Sequence, residues 1–254
     1  MLRIDLNCDL GEARDEASVA AEAQVMPYLT SVNVACGFHA GTPDLMRQTI
    51  RVARTHGLSV GAHPGFLDRE GFGRRAMPLT QAEVETVVAY QVGALSAIAA
   101  LEGVTLTHVK PHGALYNLAA QDRGLADAIA RAVAAVDRRL VLVALAGSYC
   151  IAGGRAAGLT VAEEAFADRA YSRSGTLMPR DLPGAVIHDA REVLDRAIHL
   201  VKQGSVPTFD GTALQLHADT ICLHSDTPNA ELLARLLREG LERAGVRIAA
   251  LTHA

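Results

Sequence analysis

The chain contains no tryptophan, only 4% aromatic residues and just two lysines, Lys110 and Lys202. A core without large rings has to be filled by Ala, Leu, Val and Ile, which suits helices packed on strands. No basic stripe interleaved with aromatics and no block of like charge occurs, and the net charge is −4. A nucleic-acid or membrane-surface partner is therefore not expected, and a small molecule is. No C-x-x-C spacing is present: Cys8, Cys36, Cys150 and Cys222 sit mostly inside apolar runs, as reduced thiols of a cytosolic protein do. Arg3, Asp5, Asp9 and Glu12 stand where a signal peptide would need its apolar region, so a cytoplasmic location is expected. The longest near-apolar stretch, Val87 to Leu101, is interrupted by Tyr90, Gln91, Gly93 and Ser96 and reads as a helix too short to span a bilayer. Also missing are a G-x-G-x-x-G after the first strand, a G-x-x-x-x-G-K-[ST] loop and an H-E-x-x-H motif. Any nucleotide or metal must be held another way.

What is present alternates between two periods. A length of 254 residues fits one domain, 1–254, and is common among β/α barrels. Leu2 to Leu10 places Leu2, Ile4, Leu6, Cys8 and Leu10 on one face and Asp5, Asn7 and Asp9 on the other. This reads as a strand with a polar inner face, or else as a half-exposed edge strand. Further strands are predicted at Thr30–Ala35, Leu58–Ala62, Leu106 onward through His108, Lys110 and His112, Leu140–Leu145, Leu159–Ala162 and Ile221–Leu223. Helices are predicted near 44–56, 80–102, 122–136, 149–157, 190–203 and from Thr227-Pro228 to Arg243, with Thr42-Pro43 and Thr80 to Glu83 as start signals. The segment Ala13–Ala23 fits a helix or a loop. The Gly- and Arg-rich stretch from Pro64 to Arg75 is long for a connection and reads as a binding loop or lid.

Strands alternating with helices imply a mainly parallel sheet. Asp9, His39, His63, Lys110, His112, Glu164, Asp168, His224 and Asp226 all fall at or just after the carboxyl ends of strands. An open sheet could gather only those at a switch point, whereas a closed barrel brings every strand end to one rim. Asp9, His39 and His63 have the chemistry of a divalent-metal ligand set, a carboxylate and two imidazoles. They serve equally well as acid/base groups, and the sequence leaves both open.

Asp5-Leu6-Asn7-Cys8-Asp9-Leu10-Gly11-Glu12, Asn33 to Gly41, Gly61-Ala62-His63-Pro64-Gly65, Gly71 to Arg75, Val109 to Asn117 and Glu164 to Arg169 together resemble the LamB/YcsF family over nearly the full length. The resemblance implies a distorted seven-stranded β/α barrel like that of glycoside hydrolases and polysaccharide deacetylases. It also implies an ATP-dependent lactam hydrolase, 5-oxoprolinase, in which a chain of this family opens 5-oxo-L-proline to L-glutamate with B and C subunits, using ATP and Mg2+. Whether the chain also associates with itself is left open. Under that reading Lys110 with Arg74 or Arg169 holds carboxylate or phosphate oxygens, and Asp9, His63, His39 and His112 move protons. Asn7, Glu12, Asn33, Glu164, His224 and Asp226 complete the binding set. No phosphate loop is visible, so the phosphoryl chemistry is expected to depend on the partners. Ser225 and Thr42 depart from the family pattern, replacing a glycine and an acidic residue. Two alternatives stand beside this reading: a stand-alone metal-dependent hydrolase or deacetylase using Asp9, His39 and His63, and a non-catalytic oxoproline-binding subunit.

Overall fold

A computed structural model describes residues 1–12, 16–224 and 230–251, apart from the side chains of 16–18, 21 and 224. In chain order the strands are β1 (Arg3–Leu10), β2 (Ser31–Ala35), β3 (Ser59–His63), β4 (His108–Val109), β5 (Val141–Leu145), β6 (Val161–Phe166), the hairpin β7 (Ser205–Pro207) and β8 (Ala213–Gln215), β9 (Thr220–His224) and β10 (Arg247–Ile248). Seven of them, β1 to β6 and β9, form a parallel ring that closes where β9 pairs with β1. Helices α1 (Glu16–Ala23), α2 (Pro43–Thr55), α3 (Gln81–Leu101), α4 (Gly113–Ala119), α5 (Arg123–Val136), α6 (Tyr149–Ala156), α7 (Ala190–Gln203) and α8 (Ala230–Arg243) follow the strands. The expected α/β barrel is therefore found, and β1 is a two-sided member of the ring rather than an edge. Its Ile4, Leu6, Cys8 and Leu10 are buried in the apolar layer beneath the helices.

The barrel interior is divided in a way that residue type dictates. On one side Val141, Val143 and Ala162 pack with Leu251. On the other side polar residues stack in layers. Asp5 accepts hydrogen bonds from Thr30, Ser31 and Thr220. Above it, Asn7 contacts Asn33 and Thr220, and Asn33 Oδ1 meets His108 Nε2 at 2.8 Å. A buried polar group is tolerated only when such partners are supplied, and here each layer supplies the next. Gly61 is required by this stacking, because a Cβ there would collide with the His108 ring.

Local signals account for most helix ends. Thr42 Oγ1 accepts from Leu45 N, capping α2 ahead of Pro43, so the departure from the family pattern at this position serves as a helix cap. Thr80 and Glu83 form the expected capping box. Over its full 21 residues α3 is long and apolar enough, by length and composition, to cross a membrane, which the shorter stretch from Val87 concealed. Its Val84, Val88, Val92, Leu95 and Ala99 are buried, and the helix packs on α5, α2 and β3.

Two strand ends and one hairpin differ from expectation. The sixth strand runs on to Phe166 instead of ending at Ala162, because the Glu164 carboxylate finds buried partners inside the ring. The fourth strand ends at Val109, and His112 becomes the residue before α4. The β7–β8 hairpin turns at Asp210-Gly211, with Asp210 accepting from Thr208. That Asp-Gly turn signal lies in a stretch short of apolar alternation. Ser225, Asp226, Thr227 and Pro228 lie outside the described residues, as does the His224 side chain.

Candidate active site

The carboxyl ends of the strands enclose a cavity of about 620 Å³ lined by Asp9, Glu12, His63, Lys110 and His112 at its floor and by Arg74, Arg169 and Arg180 among its walls. These residues come from segments remote in sequence. Gly11, at φ 71°, turns the chain after β1, and Glu22 accepts from the backbone N of Gly11 and Glu12, so the Glu12 side chain is delivered beside the rim. Gln91 of α3 clamps the loop after β3 through Gly65, accepting from its N at 3.0 Å and donating to its O at 2.9 Å. Arg69 donates to the carbonyls of Gly37 and Gly41, tying the long loop after β3 to the loop that carries His39.

Lys110 sits in the barrel throat, 2% exposed. Its Nζ lies 2.9 Å from Asp9 Oδ1, 2.9 Å from Glu164 Oε1 and 3.0 Å from Cys222 Sγ. Burial by itself would lower the Lys110 pKa, but the attraction of Asp9 and Glu164 outweighs it and holds the ammonium well above its ordinary value. An ammonium has three donors, and protein acceptors already surround this one. Its charge therefore serves Asp9 and Glu164, and Lys110 also lines the cavity. Tyr116 donates to Glu164 Oε2 at 2.8 Å, completing the buried network.

Four acid/base groups cluster beside Asp9. His63 Nε2 lies 3.3 Å from Asp9 Oδ2, 3.7 Å from Glu12 Oε1 and 2.9 Å from His112 Nδ1. His39 Nε2 lies 3.0 Å from Glu12 Oε1, and its ring stacks on His112 with centroids 3.8 Å apart. Burial holds His39 down to about 4, so this imidazole is neutral near pH 7. Burial would raise Glu12, yet the adjoining imidazoles of His112 and His39 hold it well below the usual carboxylate range. For His63 the penalty of burial is reversed by Asp9 and Glu12, and its pKa is raised. Glu12, His39, His63 and His112 place one ligand atom each within 4.8 Å of one another and could hold a metal ion. Asp9, in the ligand set suggested by sequence, adjoins this cluster while its Oδ1 is taken by Lys110 and Asn33.

At the wall, Arg169 is 5% exposed and is fixed by Met178 O and Ala185 O. Burial and the nearby Arg180 pull its pKa down to about 10, with Arg74 adding to the effect. Arg74 lies over the Phe72 ring at 5.0 Å. Positive charge crowded in this way favours an anion.

The chain matches the model of the LamB/YcsF family over residues 4–254. It is 50% identical to a protein from Rhodopseudomonas palustris named as the A subunit of 5-oxoprolinase, with 97% of this chain and 98% of that one covered. A second relative of the same name, from Syntrophobacter fumaroxidans, is 50% identical with 98% and 99% covered. The chain belongs to the LamB/YcsF family. A crystal structure of a lactam utilization protein from Thermus thermophilus superposes with a TM-score of 0.92 at 48% identity, covering 98% of this chain and 100% of that one. A truncated 3-deoxy-D-arabino-heptulosonate 7-phosphate synthase from Thermotoga maritima, 10% identical with a TM-score of 0.51, shares the fold alone.

In this LamB/YcsF chain, Asp9, Asn7, Asn33, His63, Lys110, His112 and Glu164 meet in one connected network with Glu12 and His39. Asn7 and Asn33 lie below the cavity, where they orient Asp9, Glu164 and His108. His224 and Asp226 fall among the side chains outside the described residues. Sequence reasoning missed Cys222, Tyr116 and Arg180 as site residues. Cys222 could have been found from its inward register opposite Asn7. Burial first, then Asp9, pushes its thiol well above the ordinary value, so it stays protonated.

Proposed function

We propose that this chain is the lactam-binding and ring-opening subunit of an ATP-dependent 5-oxoprolinase, acting on 5-oxo-L-proline together with B and C subunits. The observation that carries the reading is one cavity with a carboxylate and imidazole floor and a wall of arginines. A small cyclic amide bearing a carboxylate needs both. Arg169 and Arg74 hold the substrate carboxylate, which turns the lactam carbonyl toward the floor. Asp9 and His63, with His39 or His112, transfer protons to the ring nitrogen or from water. Lys110 holds Asp9 in place through their 2.9 Å ion pair. The names of the relatives, an oxoprolinase component and a lactam utilization protein, support this assignment.

A five-membered lactam is resonance-stabilised and recloses readily, so its net opening requires an activated carbonyl and an energy source. ATP with Mg2+ supplies that energy. The chain has no Walker loop, and phosphoryl transfer is assigned to the partner subunits. The test is oxoproline-dependent ATP hydrolysis with and without B and C. Turnover is expected only when all subunits are present. Turnover by this chain alone would remove the partner dependence, and no turnover in the complete assembly would overturn the reading. A stand-alone metal-dependent hydrolase is the second reading, favoured by the convergence of Glu12 with three histidines, and chelator-sensitive activity of the isolated chain would select it.

A further inference from the structure

The two histidines at the floor face each other in a way that neutral imidazoles cannot maintain alone. His63 Nδ1 lies 2.7 Å from Lys110 O and His112 Nε2 lies 2.8 Å from Phe72 O. A carbonyl oxygen only accepts, so each of these nitrogens carries the ring proton. The opposite nitrogens, His63 Nε2 and His112 Nδ1, then present lone pairs to each other across 2.9 Å. Glu12 Oε1 adds a third, 3.2 Å from His112 Nδ1 and 3.7 Å from His63 Nε2. With both rings neutral, three acceptors converge with no donor among them, so either an added proton on one ring or a metal ion has to lie between them.

The separations fit a metal ion. A circle through three atoms spaced 2.9, 3.2 and 3.7 Å has a radius of about 1.9 Å, so an ion about 2.0–2.1 Å from each sits just off their plane. The surroundings match as well. A ligating histidine characteristically donates its far N–H to a carbonyl or carboxylate, which fixes its tautomer and orientation. Both histidines do so. The carbonyl that serves His112 comes from Phe72, at φ 55° the one non-glycine residue with positive φ among the described residues. That conformation is strained and persists only where the surroundings hold it. His39 differs: its Nδ1 is buried without a hydrogen-bond partner, so it lacks the outer support the other two have and serves to orient Glu12. Glu12, His63 and His112 line the cavity, so the coordination positions not taken by protein open toward the ligand.

We propose that Glu12, His63 and His112 bind one divalent transition-metal ion that prefers imidazole and carboxylate ligands, of the zinc class, with its open side facing the cavity. Such an ion would polarise a carbonyl oxygen held there. The proposal concerns the chain by itself and is read by binding and not by turnover; in the metal-bound chain His63 and His112 are ligands, and proton transfer falls to Asp9.

The full chain is stripped with chelator and titrated with Zn2+, with Mg2+ as an oxygen-preferring control. One Zn2+ per chain is expected, with no comparable Mg2+ binding, and the thermal midpoint should rise with Zn2+ and fall back with chelator. The variant His63→Ala/His112→Ala should bind at least about 100-fold more weakly, and Glu12→Gln more weakly than the wild type. X-ray absorption on the Zn2+-loaded wild type needs no variant to fold, and should give a nitrogen and oxygen shell at about 2.0–2.1 Å with imidazole scattering. No Zn2+ uptake by the wild type, undiminished uptake by folded variants, or a sulfur shell from the cysteines would each overturn the proposal. In the first case a shared proton would occupy the gap between the two rings.

Discussion

Replacing Lys110 with Met is expected to destabilise the protein by about 3–5 kcal/mol, the usual cost of leaving buried charge without its partner. The side chain has nearly the same length and volume, so the loss isolates the charge. Two carboxylates, Asp9 and Glu164, each lie 2.9 Å from the ammonium, and both lose its charge together. The sign with pH follows from Lys110 being held above its ordinary pKa. A group raised on folding contributes its stability fully below its unfolded pKa, about 10.4 for lysine, and loses it only as pH rises through the folded value. At neutral pH the wild type therefore enjoys the whole contribution, and the difference between wild type and Lys110→Met should be undiminished between about pH 6 and 9. Chemical denaturation at several pH values reads both quantities. A loss below about 1 kcal/mol would mean that the ion pairs are compensated elsewhere.

Asp9→Asn is expected to lower oxoproline-dependent turnover of the assembled enzyme by about 10²–10⁴-fold, the range for removing a positioned acid/base group. The substitution preserves shape and most hydrogen bonding to Asn33 and Lys110, so the fold should survive. What it removes is the acceptor 3.3 Å from His63 Nε2 and the charge that, with Glu12, favours the protonated imidazole. The loss should therefore fall mainly on kcat, with KM for oxoproline changed far less, since the arginines proposed to hold the carboxylate are untouched. Full turnover in Asp9→Asn would exclude Asp9 from proton transfer.

How far the sequence displayed these features depends on whether each was local. The alternation of Asp5, Asn7 and Asp9 against Ile4, Leu6 and Cys8 is a local period, and it carries through to a strand with one face inside the barrel. Thr42-Pro43 and the Thr80/Glu83 box are local too, and the helices begin there. Glu164 is different: two adjacent glutamates look like a strand end until Lys110, Asn7 and Tyr116 are brought to meet the second of them. Glu12 and His112 are 100 positions apart in the chain and have no spacing signature as ligands, because a barrel rim joins them through space alone. Lys110 was conspicuous by its rarity, but its saturation by protein acceptors depends on Asp9, Glu164 and Cys222 arriving from three other strands.

The assignment of roles rests on a single cavity that receives a small lactam carboxylate in one orientation. A crystal structure of this chain with 5-oxo-L-proline bound tests that most directly. The ligand carboxylate should lie against Arg169 and Arg74, and the ring carbonyl should point at the floor formed by Glu12, His63 and His112, within reach of Asp9. Oxoproline bound outside this cavity, or bound within it with its carboxylate at the histidines and its carbonyl toward the arginines, would contradict those roles.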